Sequence, residues 1–403
     1  MRNTSKTTSA LVSTLCMAAG WVTVAARPAG AETWKIEMVD QIGVGRSSSL
    51  RIDKFGNAHV VYVVDDANRN PMRYATWDHR ANKWFVMTIA ENVGSCSMVL
   101  DSKQNPHISY VDAGSGVGSK VRYMYWDGSS WIRVPILVNS EVISYYSSIV
   151  LDAKDKPTIS FYEYRGPRDT DFKIRLRVVA LKDGSWQVKT VDGAEGSGKF
   201  NAMAIDPLGR MHISYANVAA TTAGARYAYS NGDRWRTEVV EGLAENGGEM
   251  VGFSSCIALD KDGNPHISYA NETNPMLKYA VRKDGRWQIQ TVAPMARVGY
   301  PDRNTIALDE NGRPYISYYD AGRGTLNLAH QEGHQWIVEI VDGNGAGFTS
   351  SLQIDNGQVW ISYADETNGG LKVARQDLRA ASKTALSGVT NDKPPAAPAG
   401  GAK

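Results

Sequence analysis

The sequence predicts an all-β chain, a seven-bladed β-propeller with four antiparallel strands per blade and a last blade closed by the N-terminal strand. Three observations carry that expectation. First, a unit seen most clearly from Ser254 to Val292 recurs about every 50 residues, a period that belongs to propellers or solenoids. Its marks are an Asp before a Gly- or Pro-containing turn (Asp53, Asp101, Asp152, Asp206, Asp260, Asp309, Asp355), then an aromatic (Tyr62, Tyr110, Phe161, Tyr215, Tyr269, Tyr318, Tyr363), then a Trp after a tight polar turn (Trp84, Trp131, Trp186, Trp235, Trp287, Trp336). Second, each unit holds four short runs of alternating β-branched and aromatic residues, as in SCIALD, HISYA, MLKYAV and WQIQTV, separated by DKDGNP, NETNP and RKDGR. Four strands per unit make a propeller blade. Third, the last unit has only three such runs, and the missing Trp is Trp34 in TWKIEMVD, which matches SWQVKTVD at 185 to 192. A linear solenoid has no use for an orphan outer strand at its start, whereas a ring closed from both ends needs one.

Taken in order, MRNTSK followed by the apolar stretch from Ala10 to Ala26 and an Ala-Gly-Ala ending describes a secretory signal peptide, with cleavage expected after Ala31. The apolar run is short for a membrane span, so no span is expected in the mature chain. Residues 32–378 then form one propeller, and from 379 the sequence turns to Ala, Pro, Ser and Lys, too poor in large apolar residues to fold, and reads as a disordered tail over 379–403. No blade can bury its alternating apolar faces alone, so the ring is expected to fold as a unit. A monomer is the expected state, and the destination is secreted or periplasmic.

The two mature cysteines, Cys96 and Cys256, fall on inner strands of blades on different sides of the ring, too far apart for a disulfide, and read as small core residues. The chain has 44 basic and 42 acidic side chains; setting aside Arg2, Lys6 and Arg27 in the leader and Arg379, Lys383, Lys393, Lys403 and Asp392 in the tail leaves 37 against 41. A mildly acidic body without a basic stripe argues against nucleic acid as a partner.

Repeat-wide polar residues are expected to serve the repeat. His59, His107, His212 and His266 share one position at the start of the second strand, away from the axis, where other blades have Thr158, Tyr315 and Trp360, so a structural role is expected rather than metal binding. The seven Asp residues should accept hydrogen bonds from turn amides. The sequence therefore implies no metal and no cofactor. The Trp column after its polar turn, as in KDGSW and KDGRW, resembles a shortened Asp-box of the BNR or sialidase-like propellers. That resemblance covers all seven units as a repeat signature, it lacks the leading Ser/Thr and the full spacing, and it transfers no active-site residue.

Function is expected on the face where the loops leading into the inner strands and those between second and third strands converge on the central channel. A set of aromatics lies just before the inner strands: Tyr145, Tyr146, Phe200, Phe253, Tyr300 and Phe348. Their flat apolar faces can stack on sugar rings or grip a peptide. A ring of carboxylates and amides, Asp112, Glu163, Asn217, Asn271, Asp320 and Asp365, ends the second strands and faces a basic column on the third, so these groups either bind hydroxyls or cap turns and form ion pairs. Departures from the repeat say more. Arg51 and Gln353 replace the Val or Ala of other inner strands, and Arg46 and Arg303 lie in the loops leading in, which points to an asymmetric ligand.

No nucleophile elbow, HExxH or phosphate loop occurs. A top-face enzyme would work with Tyr, carboxylate and Arg, with Glu163, Tyr146 and Arg303 as the residues to carry glycosidase- or sialidase-like chemistry. The leading expectation is a propeller that binds a glycan or an extracellular protein through the top-face funnel; a carbohydrate-active enzyme and a non-catalytic assembly scaffold are the alternatives.

Overall fold

The computed structural model describes residues 34–66, 69–112, 120–136, 143–165, 173–232, 234–295, 304–343 and 345–378, and it is a seven-bladed propeller. Seven four-stranded antiparallel sheets surround an axis. Six blades run in chain order from the inner to the outer strand. The seventh places Lys35–Asp40 outside Gly370–Asp377, with Ile36 opposite Ala374, so the two ends of the folded chain share a blade. The inner strands of blades 1 to 7 are Val44–Ile52, Val93–Leu100, Ile143–Leu151, Ser197–Ile205, Val251–Leu259, Thr305–Leu308 and Ala346–Asp355. The expected leader, cleavage site and tail lie outside the described residues.

Alternation along each strand sends one side chain to either face of its sheet, and blades stack through those faces. The apolar clusters accordingly straddle blade boundaries: Leu50, Tyr62 and Val64 of blade 1 pack with Trp360, Leu371 and Val373 of blade 7. Three kinds of polar or aromatic contact add to this burial.

At the lower end, the turn after each inner strand is held by its Asp. Asp53 accepts from the backbone N–H of Phe55 and Asn57, both at 2.8 Å, and Asp101 repeats this with Lys103 and Asn105 at 2.8 and 2.7 Å. The four shared histidines are buried against these turns. His107 Nδ1 lies 2.6 Å from the Tyr123 hydroxyl and its Nε2 3.5 Å from Asp101 Oδ2; His212 and His266 repeat both contacts, and His59 does so at 2.5 and 3.3 Å. Each of these tyrosines serves its own histidine, and all four also meet the Trp of the following blade edge-on: Tyr74 with Trp131, Tyr123 with Trp186, Tyr227 with Trp287 and Tyr279 with Trp336, at 5.2 to 5.6 Å. Trp84, Trp287 and Trp336 donate their indole N–H back to Glu37, Glu238 and Gln290 on the preceding blade. The Trp column is thus an inter-blade fastener.

At the upper end, a second fastener involves the aromatic of the repeat. A carboxylate at the end of one blade's outer strand accepts from the Tyr hydroxyl of the next blade: Asp40 from Tyr62, Asp192 from Tyr215 at 2.8 Å, Glu241 from Tyr269 at 2.6 Å and Asp342 from Tyr363 at 2.7 Å. Arg73, Lys278 and Lys372 ion-pair with three of these carboxylates from the third strand. A register shift at the same place in the outer strands that carry these acids, as between the residues opposite Leu176 and Arg177 or Ala225 and Arg226, presents the acid to its neighbour.

Along the axis, small hydroxyl and amide side chains form a belt. Ser109 meets Ser147 at 3.0 Å, Ser160 donates to Asn201 at 2.7 Å, Ser317 meets Ser350 at 2.9 Å and Ser362 donates to Ser48 at 3.3 Å, each pair joining consecutive blades. Neither Cys96 nor Cys256 forms a disulfide.

Candidate functional site

The central channel holds a cavity of about 150 Å³. Its wall is the hydroxyl belt (Ser48, Ser97, Ser148, Ser255 and their equivalents) with Asn201, Asn304, Cys96 and Cys256, and among the described residues Arg51 is the single charged one in it. Gln353 lines it beside Arg51. Both side chains curl back onto their own strands, Arg51 donating from Nη1 to the Leu50 carbonyl at 2.7 Å and Gln353 from Nε2 to that of Leu352 at 2.9 Å. Burial pushes the guanidinium pKa down, and the Cys256 sulfur across the channel acts weakly in the other direction. Among the described residues no carboxylate pairs with Arg51. A guanidinium carries five N–H donors, so most of its hydrogen-bonding capacity is not taken up by the described residues.

At the mouth, the aromatics lie inside the inner strands rather than before them. The strands begin several residues earlier than their patterning shows, because glycines and bulges carry the pairing upward: Val251 pairs with Asn271, and the register shifts twice before Cys256. Tyr146, Phe200, Ser254 and Thr349 occupy the equivalent bulge position of blades 3, 4, 5 and 7, all at left-handed φ of 47 to 54°. Non-glycine residues adopt that conformation at a cost of about 1–3 kcal/mol and do so preferentially at functional sites. The glycines beneath are needed: a Cβ on Gly252 (φ +97°) would lie 2.8 Å from Ala225 Cα, and one on Gly347 (φ +120°) 2.7 Å from Leu326 Cα.

The bulges bring three rings of successive blades into one surface. Phe200 stands between Tyr146 and Phe253, with centroids 5.3 Å from each, and Tyr146 also leans on Tyr162 at 6.0 Å. Phe200 is largely buried and lines the cavity, while Tyr146 and Phe253 are half-buried. Phe348 meets Tyr319 edge-on at 6.0 Å in blades 6 and 7. The funnel is therefore aromatic on the side of blades 3 to 5, and polar with the Arg51 charge lower down on the side of blades 7 and 1.

The carboxylates named from sequence stand elsewhere. Glu163 is 1% exposed and accepts from Arg177 Nη1 at 2.8 Å. Asp365 accepts from Asn368 and from Lys372, both at 2.7 Å. Burial would raise its pKa, but these hydrogen bonds outweigh that and hold it below the ordinary carboxylate range. Asp320 accepts from the Gly322 amide at 3.0 Å and lies 3.8 Å from Arg323. These groups cap turns and pair with cations, and none of them lines the channel cavity. Arg46 and Tyr145 fall within inner strands whose side chains at those positions lie outside the described residues, as do Tyr300 and Arg303 entirely.

The hydroxyl belt was not singled out from sequence. Its signal was present in the Ser-Ser pairs at 48, 147, 254 and 350, three residues or more before the turn Asp of each unit.

No protein-family model matches the chain, and no curated protein matches it in sequence. Solved structures do. A polysaccharide lyase, a PL25 ulvan lyase solved with GlcA(1-4)Rha3S bound, is similar at 13% identity with a TM-score of 0.59 over 86% of this chain and 98% of that one. Another polysaccharide lyase matches at 10% identity and 0.54 over 83% and 90%. The α-L-arabinanase of Penicillium chrysogenum, solved with arabinobiose, matches at 11% and 0.50 over 87% and 99%. Such likenesses show a shared propeller fold, and the Asp-box resemblance stands at that level.

Proposed function

We propose that this protein is exported and binds an acidic glycan through the funnel, with Tyr146, Phe200 and Phe253 stacking on sugar rings and Arg51 receiving an anionic group. The observation that carries this reading is the division of one funnel into a continuous aromatic wall and a channel whose sole charge among the described residues is a guanidinium that none of their carboxylates pairs with. Aromatic faces complement the C–H face of a pyranose, and a half-buried cation at the channel wall is stabilised when a ligand supplies the counter-ion. The carbohydrate-acting proteins among the structural neighbours support the choice of glycan over protein. A scaffold with no small ligand would have little use for an open polar cavity at the axis.

A second reading is a carbohydrate-active enzyme in the same funnel. It rests on Tyr146, a phenol held in a left-handed conformation beside Tyr162. Glu163 would serve as its acid only if the pair with Arg177 opened.

A glycan array on the full-length protein, with products followed by mass spectrometry, tests both readings. Retention of uronic or sulfated glycans, weakened at least tenfold by Arg51→Ala and by Phe200→Ala in folded variants, is the expected result. Turnover lost in Tyr146→Phe would replace it with the enzymatic reading. Equal retention of neutral and acidic glycans would refute the role of Arg51.

A further inference from the structure

The upper fastener is not present at every blade boundary, and its absences differ in kind. Where it is complete, as between blades 6 and 7, Lys372 lies between two carboxylates, Asp365 of its own blade at 2.7 Å and Asp342 of the preceding blade at 3.1 Å, and Asp342 also accepts from Tyr363. Between blades 5 and 6 the acid position holds Ala293, opposite Leu277 in register, and the cation position holds Asn327, opposite Tyr318. Acid and base are missing together there, which leaves no charge uncompensated.

Between blades 1 and 2 only the acid is missing. Ala90, opposite Met72, stands where Asp40, Asp192, Glu241 and Asp342 stand, yet Tyr110 and Arg122 keep the other two positions. Arg122 retains its own-blade carboxylate, Asp112, at 3.1 Å. The Tyr110 residue is 8% exposed, and among the described residues nothing accepts from its hydroxyl. In place of the absent acid is a cleft of about 550 Å³ lined by Ala90, Tyr110 and Arg133. Arg133 donates from Nη2 to the Ile89 carbonyl at 2.7 Å, which anchors it there with further N–H donors to spare. Glu91 and Asp112 also border the cleft; Glu91 is exposed and Asp112 is paired with Arg122.

We propose that this cleft is a carboxylate-binding site, in which an external carboxylate takes the place that Asp342 fills between blades 6 and 7, accepting from the Tyr110 hydroxyl and from Arg133 and Arg122. It is separate from the axial funnel and does not depend on the function assigned there. The chain itself supplies the template: at four other boundaries a tyrosine hydroxyl at this position donates to a carboxylate.

Thermal unfolding of the full-length protein in acetate against chloride at matched ionic strength and neutral pH tests the site. Acetate at about 0.1 M is expected to raise the midpoint by roughly 1–2 °C through binding to the native state alone. Ala90→Asp places the carboxylate on the chain; its midpoint should rise in chloride and become insensitive to acetate. Ala293→Asp, at the boundary without a cation, should lower the midpoint. Tyr110→Phe should fold as the wild type does and lose at least half of the acetate response, which keeps the test open if Ala90→Asp fails to fold. Glucuronate in place of acetate separates the source: a larger response assigns the site to a sugar acid, an equal one to a bare carboxylate. The proposal is overturned if the wild type responds alike to acetate and chloride, if Tyr110→Phe responds as fully as the wild type, or if Ala90→Asp is no more stable than Ala293→Asp.

Discussion

Replacing Glu241 by Ala strips the boundary between blades 4 and 5 of its acceptor while leaving both donors in place. The Tyr269 hydroxyl, 2.6 Å from Glu241, sits on a residue with no exposed surface, and the Lys278 ammonium stands on a side chain only 13% exposed. Burial, then the neighbouring Glu241 charge, holds the Tyr269 pKa well above its ordinary value, so the hydroxyl remains a donor throughout the neutral range. Removing one partner of a buried pair costs about 3–5 kcal/mol because the other charge is left uncompensated. Tyr269→Phe removes a single hydrogen bond to a charged acceptor and should cost about 1.5–3 kcal/mol. Replacing both charges by apolar residues, Glu241→Leu with Lys278→Met, should cost less than Glu241→Ala alone, since no buried charge is then orphaned. Guanidinium unfolding followed by tryptophan fluorescence gives all three values. The double-mutant cycle between Glu241 and Lys278 should show a coupling of at least about 0.5 kcal/mol. Additive losses, or a double variant worse than either single one, would refute the view that these residues act as one fastener.

Further predictions concern pH, backbone and ring closure. Burial, outweighing the nearby Asp residues, lowers the pKa of His107, His212 and His266, so each is neutral in the fold and protonates more readily in the unfolded chain. Their stabilisation is complete above the unfolded value of about 6.5 and is lost as pH falls from there towards the folded values; thermal midpoints should decline below that pH, and His266→Gln should flatten part of the decline. A second decline should follow below about pH 4, because Asp53, despite burial that would raise it, is held at about 2 by hydrogen bonds from His59, Asn57 and Phe55. Gly252→Ala should destabilise by at least about 1–3 kcal/mol, since the left-handed backbone and the 2.8 Å approach to Ala225 Cα both oppose a Cβ, as calorimetry would show. Arg375→Met should lower the midpoint and leave a properly closed ring, because it removes the 2.7 Å pair with Glu37 and the approach of the guanidinium to the rings of Trp77 and Trp360, at 5.4 and 5.3 Å.

Much of the architecture was legible because a repeat writes each instruction seven times. Blade number, strand number and the closing strand all followed from Asp, aromatic and Trp positions, and the turn role of Asp53 and its equivalents followed from local chemistry. The inter-blade contacts were opaque for the opposite reason: Tyr269 and Glu241 belong to different units, and nothing local in VVEG announces that its Glu is addressed to the next blade. The same holds for Glu238 and Trp287. Pairing of Glu163 with Arg177 was one of the two roles anticipated for it, since second- and third-strand residues are cross-strand neighbours. Placement of the aromatics needed the bulges, and a bulge at Tyr146 or Phe200 leaves little trace in a pattern read by alternation. Arg51 and Gln353 were visible as exceptions to their own column, and both line the channel.

The closing blade also bears on when this protein can acquire its shape. The strand at 35–40 finds its partner only at 370–377, so the ring stays open until nearly the whole domain has left the ribosome, and the pairing spans more than 300 residues. Contacts of such sequence separation make folding slow. A chain that stays open through synthesis remains a threadable polymer rather than a finished domain, and Asp40 and Glu37, which fasten blade 1 from that strand, make its completion a late checkpoint.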